Sequence, residues 1–221
     1  MTYNEIIYDI LEVVERFQIS DDVDIDERQI IFNFNRQREL WINNTYNKPG
    51  IQIDPVLIQG LGCVSLTLVD EAECCNVDTG CKILRTSKPI PKPIVFKDGI
   101  ELRIGTNKLT NVPFSIKNIS QMPYLAYNKY TANMMYVFYH NNYLYFKSKD
   151  NIYNFLESVK IWGVFADPEQ AASFEDCGIT NCFSYDDEYP IKGDLYPYIK
   201  GEVLKQFGIK ENKDNENNAQ D

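Results

Sequence analysis

One histidine in 221 residues leaves little imidazole chemistry to assign. That residue, His140, sits beside a predicted turn in an aromatic stretch, where a turn-flanking role outweighs a Cys–His or Ser–His catalytic pair. The G-x-S-x-G, Walker A and G-x-G-x-x-G patterns are absent, and Gly60-Leu61-Gly62 reads as a strand-entry bend rather than a phosphate cradle. No apolar run approaches the roughly 18–20 residues needed to span a bilayer. The opening Met1-Thr2-Tyr3-Asn4-Glu5 lacks the basic start and apolar block of a secretion signal, so the expected compartment is cytoplasmic. Positive charge is also in deficit: 22 Lys and Arg face 32 Asp and Glu, a net charge of −10. Nucleic-acid binders draw affinity from cations that release phosphate counterions, so this balance argues against a DNA or RNA binder. It still allows a surface past which nucleic acid slides without sticking.

What is abundant is aromatic: 15 Tyr and 12 Phe. Tyrosine in that number suits interfaces, where the ring packs on a partner and the hydroxyl keeps a hydrogen bond. Acidic residues cluster at Asp21-Asp22-x-Asp24-x-Asp26, Asp70-Glu71-x-Glu73 and Asp186-Asp187-Glu188. The first lacks the central glycine and terminal glutamate of a calcium loop and reads as solvated charge near a helix start. A glycosidase pair of facing carboxylates cannot be assigned from spacing. The cysteines are Cys63, Cys74, Cys75, Cys81, Cys177 and Cys182. Without an export signal they are expected as reduced thiols. Cys74-Cys75-x5-Cys81 with Cys177-x4-Cys182 offers a zinc alternative, but neither spacing is a C-x2-C knuckle. No catalytic residue, cofactor site or metal site is therefore assigned.

Hydrophobic period gives the fold class, α+β. Tyr3, Ile6, Ile7, Ile10, Leu11, Val14 and Phe17 predict an amphipathic helix over 3–18. A second helix starts near Asp26, which forms a capping-box pattern with Gln29. It carries Ile30, Ile31, Phe34 and Trp41 and stops by Asn43-Asn44. From residue 51 the period becomes two. Val64, Leu66 and Leu68 mark a strand with one buried face, Lys82–Arg85 a short one, and Pro89, Pro91 and Pro93 an extended linker or edge. Asp98-Gly99 predicts a hairpin turn inside Val95–Leu102, and Asn141-Asn142 another inside Tyr136–Phe146. The arms of the latter are aromatic on both faces, which predicts cover by core on one side and by a partner on the other. A strand over Val159–Ala166 leads to Asp167-Pro168-Glu169-Gln170, a helix start with Asp167 as N-cap. Asp194 is expected to cap a last helix lined by Leu195, Ile199, Val203 and Phe207 and ended by Gly208. Three regions follow: a helical hairpin over 1–50, an antiparallel β-rich region with a Cys-containing loop over 51–183, and a helix with docking tail over 184–221 that returns to the first helices.

The tail from Lys210 to Asp221 contains no aromatic and no aliphatic larger than alanine. It cannot bury enough apolar surface to offset the entropy of ordering it, so it should be disordered in isolation and is expected to be ordered by another subunit. Leu195, Ile199, Val203 and Phe207 are the expected anchors of this partner-binding end, with Ile209, Lys210, Asn212 and Asp221 beyond them.

The order of these motifs resembles the ring, or head–tail adaptor, proteins of crAss-like tailed bacteriophages. The likeness rests on the helix pair, Cys81-Lys82-Ile83-Leu84-Arg85 before the proline run, Trp162-Gly163-Val164-Phe165 leading to Asp167-Pro168, and Tyr189-Pro190 before Asp194-Leu195-Tyr196-Pro197. It implies a non-enzymatic virion protein at the head–tail interface, assembled in the host cytoplasm. Its partners would be the portal protein, neighbouring tail rings and itself, in a closed ring of about twelve copies. An acidic lumen would let genomic DNA pass without specific binding. The rivals are another collar position in the same tail, or an intracellular ligand-binding domain or hydrolase built on the acidic loops and aromatic hairpin.

Overall fold

The computed structural model describes residues 1–17, 25–48, 50–70, 82–97, 99–106, 114–124, 134–148, 156–178 and 183–209. The chain divides into two compact units, Met1–Trp41 with Ser184–Asp221, and Ile42–Phe183.

In the first unit, α1 (Tyr3–Phe17) opens with a capping box. The Glu5 amide donates to Thr2 Oγ1 at 3.2 Å, and the Thr2 amide donates to Glu5 Oε2 at 2.9 Å. The Thr2-x-x-Glu5 spacing encodes it. Tyr3, Ile6, Ile7, Ile10 and Val14 are buried. The next helix, α2 (Glu27–Tyr46), runs past the expected stop at Asn43-Asn44. Its buried stripe is Ile30, Ile31, Phe34, Arg38 and Ile42, with Trp41 only half-buried. An arginine thus occupies a position on the apolar stripe. Its Nε donates to the Pro190 carbonyl at 3.0 Å, and its guanidinium lies 5.8 Å from the Tyr189 ring centroid. Tyr189 in turn meets Tyr3 and Phe34 edge-on at 4.9 and 5.3 Å and donates to Asn35 Oδ1 at 2.6 Å.

The second unit is a seven-stranded sheet in the order β5-β9-β1-β2-β8-β7-β6. The strands are β1 (Gln59–Asp70), β2 (Lys82–Thr86), β5 (Leu102–Thr106), β6 (Phe114–Ile116), β7 (Met135–His140), β8 (Tyr143–Lys147) and β9 (Ser158–Gly163). All neighbours are antiparallel except β6 and β7, a parallel pair in a region predicted to be antiparallel. The sheet curls until β5 and β6, its two edges, approach each other. Its concave face buries Leu61, Val64, Leu84, Val137, Leu144, Phe146, Val159 and Ile161. Within β1 the alternation holds at Val64, but Leu68 is exposed, because the strand runs on past the core.

Two further strands, β3 (Val95–Phe96) and β4 (Gly99–Ile100), form a small hairpin. Phe96 pairs with Gly99, so Gly99 belongs to the second strand rather than to the turn expected at Asp98-Gly99; Asp98 lies outside the described residues. Gly99, at φ 119, stands where the second strand begins. The β7–β8 hairpin turns where the sequence placed it. Asn141 and Asn142 adopt φ 48 and 65, the two positive values of a type I′ turn. Both faces of this hairpin are buried within the chain. Tyr136, Phe138 and Tyr145 form a second cluster with Ile83 on the face opposite Val137 and Phe146, and Phe138 stacks on Tyr145 at 5.2 Å. The side that sequence assigned to a partner is already covered.

The first of the unit's irregular features is α3 (Pro168–Ala172), whose N-cap Asp167 accepts from the Glu169 and Gln170 amides as expected. Beyond it, Asp176 ties three segments together. Its carboxylate accepts from the Ser65 amide at 2.8 Å, from the Ser65 hydroxyl at 2.7 Å, from the Ser87 hydroxyl at 3.3 Å and from the Cys177 amide at 2.7 Å. Cys177 is joined to Cys63 of β1 by a disulfide, with 5.9 Å between the Cα atoms. The expectation of reduced thiols therefore fails for this pair, and Cys177 cannot supply a zinc thiolate. Chain topology brought together two cysteines that lie 114 residues apart. The remaining cysteines, Cys74, Cys75, Cys81 and Cys182, lie outside the described residues.

Candidate assembly surfaces

The last helix, α4 (Tyr196–Gln206), begins without the expected Asp194 cap. Leu195 is its N-cap and makes no side-chain cap bond, while Asp194 pairs with Lys192 at 2.8 Å. The helix ends in a Schellman arrangement. The Gly208 amide donates to the Lys205 carbonyl at 3.1 Å, the Ile209 amide to the Leu204 carbonyl at 3.0 Å, and Gly208 takes φ 79.

Of the expected docking residues, Leu195, Ile199 and Val203 are buried inside the chain's own first unit, and Leu204 joins them. A stripe that satisfies its apolar surface intramolecularly has none left to offer a partner. Phe207 and Ile209 are half-buried at the point where the helix stops. Lys210, Asn212 and Asp221 lie outside the described residues.

Polar contacts also hold α4 to α1. Asp9 accepts from Lys200 Nζ at 2.8 Å and from the Tyr196 hydroxyl. Burial pushes the Asp9 carboxyl up, but the bonds from Lys200 and Tyr196 and the ammonium charge outweigh it and hold it below 3.8. Burial and the Asp9 carboxylate push the Tyr196 hydroxyl well up. Asp176 behaves as Asp9 does: burial raises it, and the bonds from Ser65, Cys177 and Ser87 bring it below 3.8. A carboxyl whose pKa is lower in the folded than in the unfolded state stabilises fully above the unfolded value. That contribution is lost as pH falls through the folded one. Stability is thus expected to stay level from about pH 7 to 5 and to fall below about pH 4. In Asp9→Asn/Asp176→Asn the acid-side fall should be shallower, as read by urea midpoints across that range. An unchanged acid limb would sink this assignment.

The outward surface carries several large apolar side chains. On α2, Phe32 and Leu40 are 66% and 47% exposed and lie two turns apart on the face opposite Phe34 and Arg38. Tyr8 of α1 and Tyr198 of α4 are also exposed.

On the convex face of the sheet stands Trp162, 40% exposed. It is in register with Gly60 of β1 and Arg103 of β5. Its indole lies across both flanking strands. A Cβ at Gly60 would stand 3.0 Å from Cδ1, and one at Gly105 would stand 3.2 Å from Cζ3. The glycines leave the room in which the ring lies flat, and the ring covers their bare backbone. Beside it opens a groove of about 480 Å³ lined by Ile51, Ile53, Ile58, Glu101 and Arg103. Sequence reading placed Trp162 in a strand but missed its role. That a strand tryptophan lies over glycines of both neighbouring strands, Gly60 opposite it and Gly105 on the diagonal, becomes visible only once the register is known.

Among the described residues, no group of three or more His, Cys, Asp and Glu is arranged to hold a metal ion. No described helix is long and apolar enough to cross a membrane. His140 is half-buried and packs at 6.5 Å from the Tyr145 ring.

A family model described as phage tail ring protein 2 matches residues 5–221. A curated relative, ring protein 2 of Bacteroides phage crAss001, is 30% identical over 234 residues, an alignment covering 100% of this chain and 97% of the relative.

Proposed function

The chain belongs to the phage tail ring protein 2 family, and from that premise we propose that it docks on the portal and extends the DNA channel towards the tail as an adaptor ring. A structural ring protein of the phage tail needs two complementary patches on each copy, since a head-to-tail contact repeated around a closing rotation makes a ring. The observation that carries the reading is the family match over nearly the whole chain. The acidic balance of −10 supports it, because a lumen of that sign repels phosphate and lets DNA pass without adhesion.

Within this reading, docking falls to the end of the chain from Phe207 onward. The buried side of α4 is occupied, so the partner-binding determinants are Phe207, Ile209 and the polar residues Lys210, Asn212 and Asp221. The polar residues would contribute hydrogen bonds rather than apolar burial. Native mass measurements on the full chain with its portal protein test this. The expected species is a closed ring of about twelve copies that binds portal. Removal of residues 210–221 is expected to abolish portal binding and leave the ring intact. A chain that stays monomeric at all concentrations and never binds portal would refute the reading.

A further inference from the structure

A ring of identical acidic subunits must place like-charged surfaces side by side. Its copy-to-copy contact is favoured where a cationic face of one copy meets an acidic element of the next. The convex face around Trp162 carries two cations, Arg103 and Lys160, against the carboxylate of Glu101 in the adjoining groove. Lys160 lies two residues from Trp162 on β9, and Arg103 is directly opposite Trp162 on β5, so all three share one face. All three are exposed. Tryptophan and arginine are the residue types most enriched at interface hot spots, and a ring laid flat over two glycines has little side-chain entropy left to lose.

The opposite character lies in the first unit, in the segment Tyr185–Glu188, where Asp186, Asp187 and Glu188 are exposed and Tyr185 is 39% exposed. This loop is already fixed in shape. The Ser184 amide donates to Asp187 Oδ2 at 2.9 Å, the Asp186 amide to Ser184 Oγ at 3.2 Å, and Asn4 Nδ2 to Asp186 Oδ1 at 2.8 Å. Thr2 bridges Glu188 through the backbone. A loop held by these bonds presents its carboxylates at little ordering cost.

We infer that the Trp162–Arg103–Lys160 face of one copy receives the Tyr185–Glu188 loop of a second copy, forming the repeated contact of the ring. The two patches differ, as the two sides of a head-to-tail contact must. The cations meet the carboxylates, and Tyr185 meets the exposed indole.

The inference rests on the ring reading, and its test separates the two. Equal amounts of isotopically light and heavy full-length chain are mixed, treated with a zero-length carbodiimide and mapped by mass spectrometry. The expected product is an amide between Lys160 and Asp186, Asp187 or Glu188 that joins light to heavy copies. Arg103→Glu/Lys160→Glu is expected to raise the concentration needed for assembly roughly tenfold to a hundredfold. Asp186→Lys/Glu188→Lys should do the same, and the two sets combined should restore most of the loss. Trp162→Ala should weaken assembly by more than any change in melting temperature accounts for. Multimers that form with no such cross-link, or with links only inside one copy, would overturn the contact and leave the ring standing. So would charge reversals that leave assembly unchanged. A chain that never multimerises would overturn both.

Discussion

Reducing the Cys63–Cys177 bond is expected to cost the second unit about 4 kcal/mol, the largest single effect anticipated for this chain. The estimate follows from topology. The bond closes a loop across a sequence separation of 114 residues, and a cross-link that long removes much of the unfolded chain's freedom. It also pins the turn at Cys177 and Gly178, whose φ values are 55 and 74, to β1 beside the Ser65–Asp176 contacts. In a thermal melt the loss corresponds to a shift of roughly 10 °C. Melting with and without a phosphine reductant measures it, with Cys63→Ala/Cys177→Ala as the control that reductant should no longer affect. Identical melts of the unaltered chain under both conditions, or a thiol assay that counts Cys63 and Cys177 as free, would remove the bond from the account.

Arg38→Ala is expected to destabilise the helical unit by about 3 kcal/mol. The side chain is fully buried, so the change opens a cavity, strands the Pro190 carbonyl without its donor and removes the cation beside Tyr189. Arg38→Lys is not a conservative repair, because an ammonium lacks the planar fork that bonds a carbonyl while packing against a ring. It is expected to retain less than half of the lost stability. Urea unfolding gives the magnitude. Hydrogen exchange should place the loosening in α2 and around Tyr189–Ile191 rather than in the sheet. A change below about 1 kcal/mol for Arg38→Ala would show that the guanidinium is dispensable.

Both effects concern residues whose importance is hard to read from their neighbours in sequence. At Arg38 the helical period gives the correct stripe, but the residue type argues for the solvent side. Only the return of the chain at Tyr189-Pro190 supplies a carbonyl and a ring to receive it. At Cys63 and Cys177, the lack of an export signal argued for free thiols, whereas contact between β1 and the loop after α3 decided the pairing. Where signals are local, the reading held more closely. The Asn141-Asn142 turn and the Asp167 cap depend on the conformational preferences of a few adjacent residues. The last helix shows the boundary between the two cases. Its length, its stripe and its stop at Gly208 were legible, but that burial within the chain would use up Leu195, Ile199 and Val203 was not.

The sequence by itself determined the α+β class, the amphipathic helices, most strand positions, the acidic balance and, through the order of its motifs, the likeness to a ring protein. The tertiary structure decided which surfaces remain for assembly. It spent Leu195, Ile199 and Val203 inside the chain and covered both faces of the aromatic hairpin. It laid Trp162 over Gly60 and Gly105 with cations beside it. The physical reason is that periodicity and capping are set by bonds within a few residues. A surface is what remains after distant segments have buried their share, and no local pattern records that remainder.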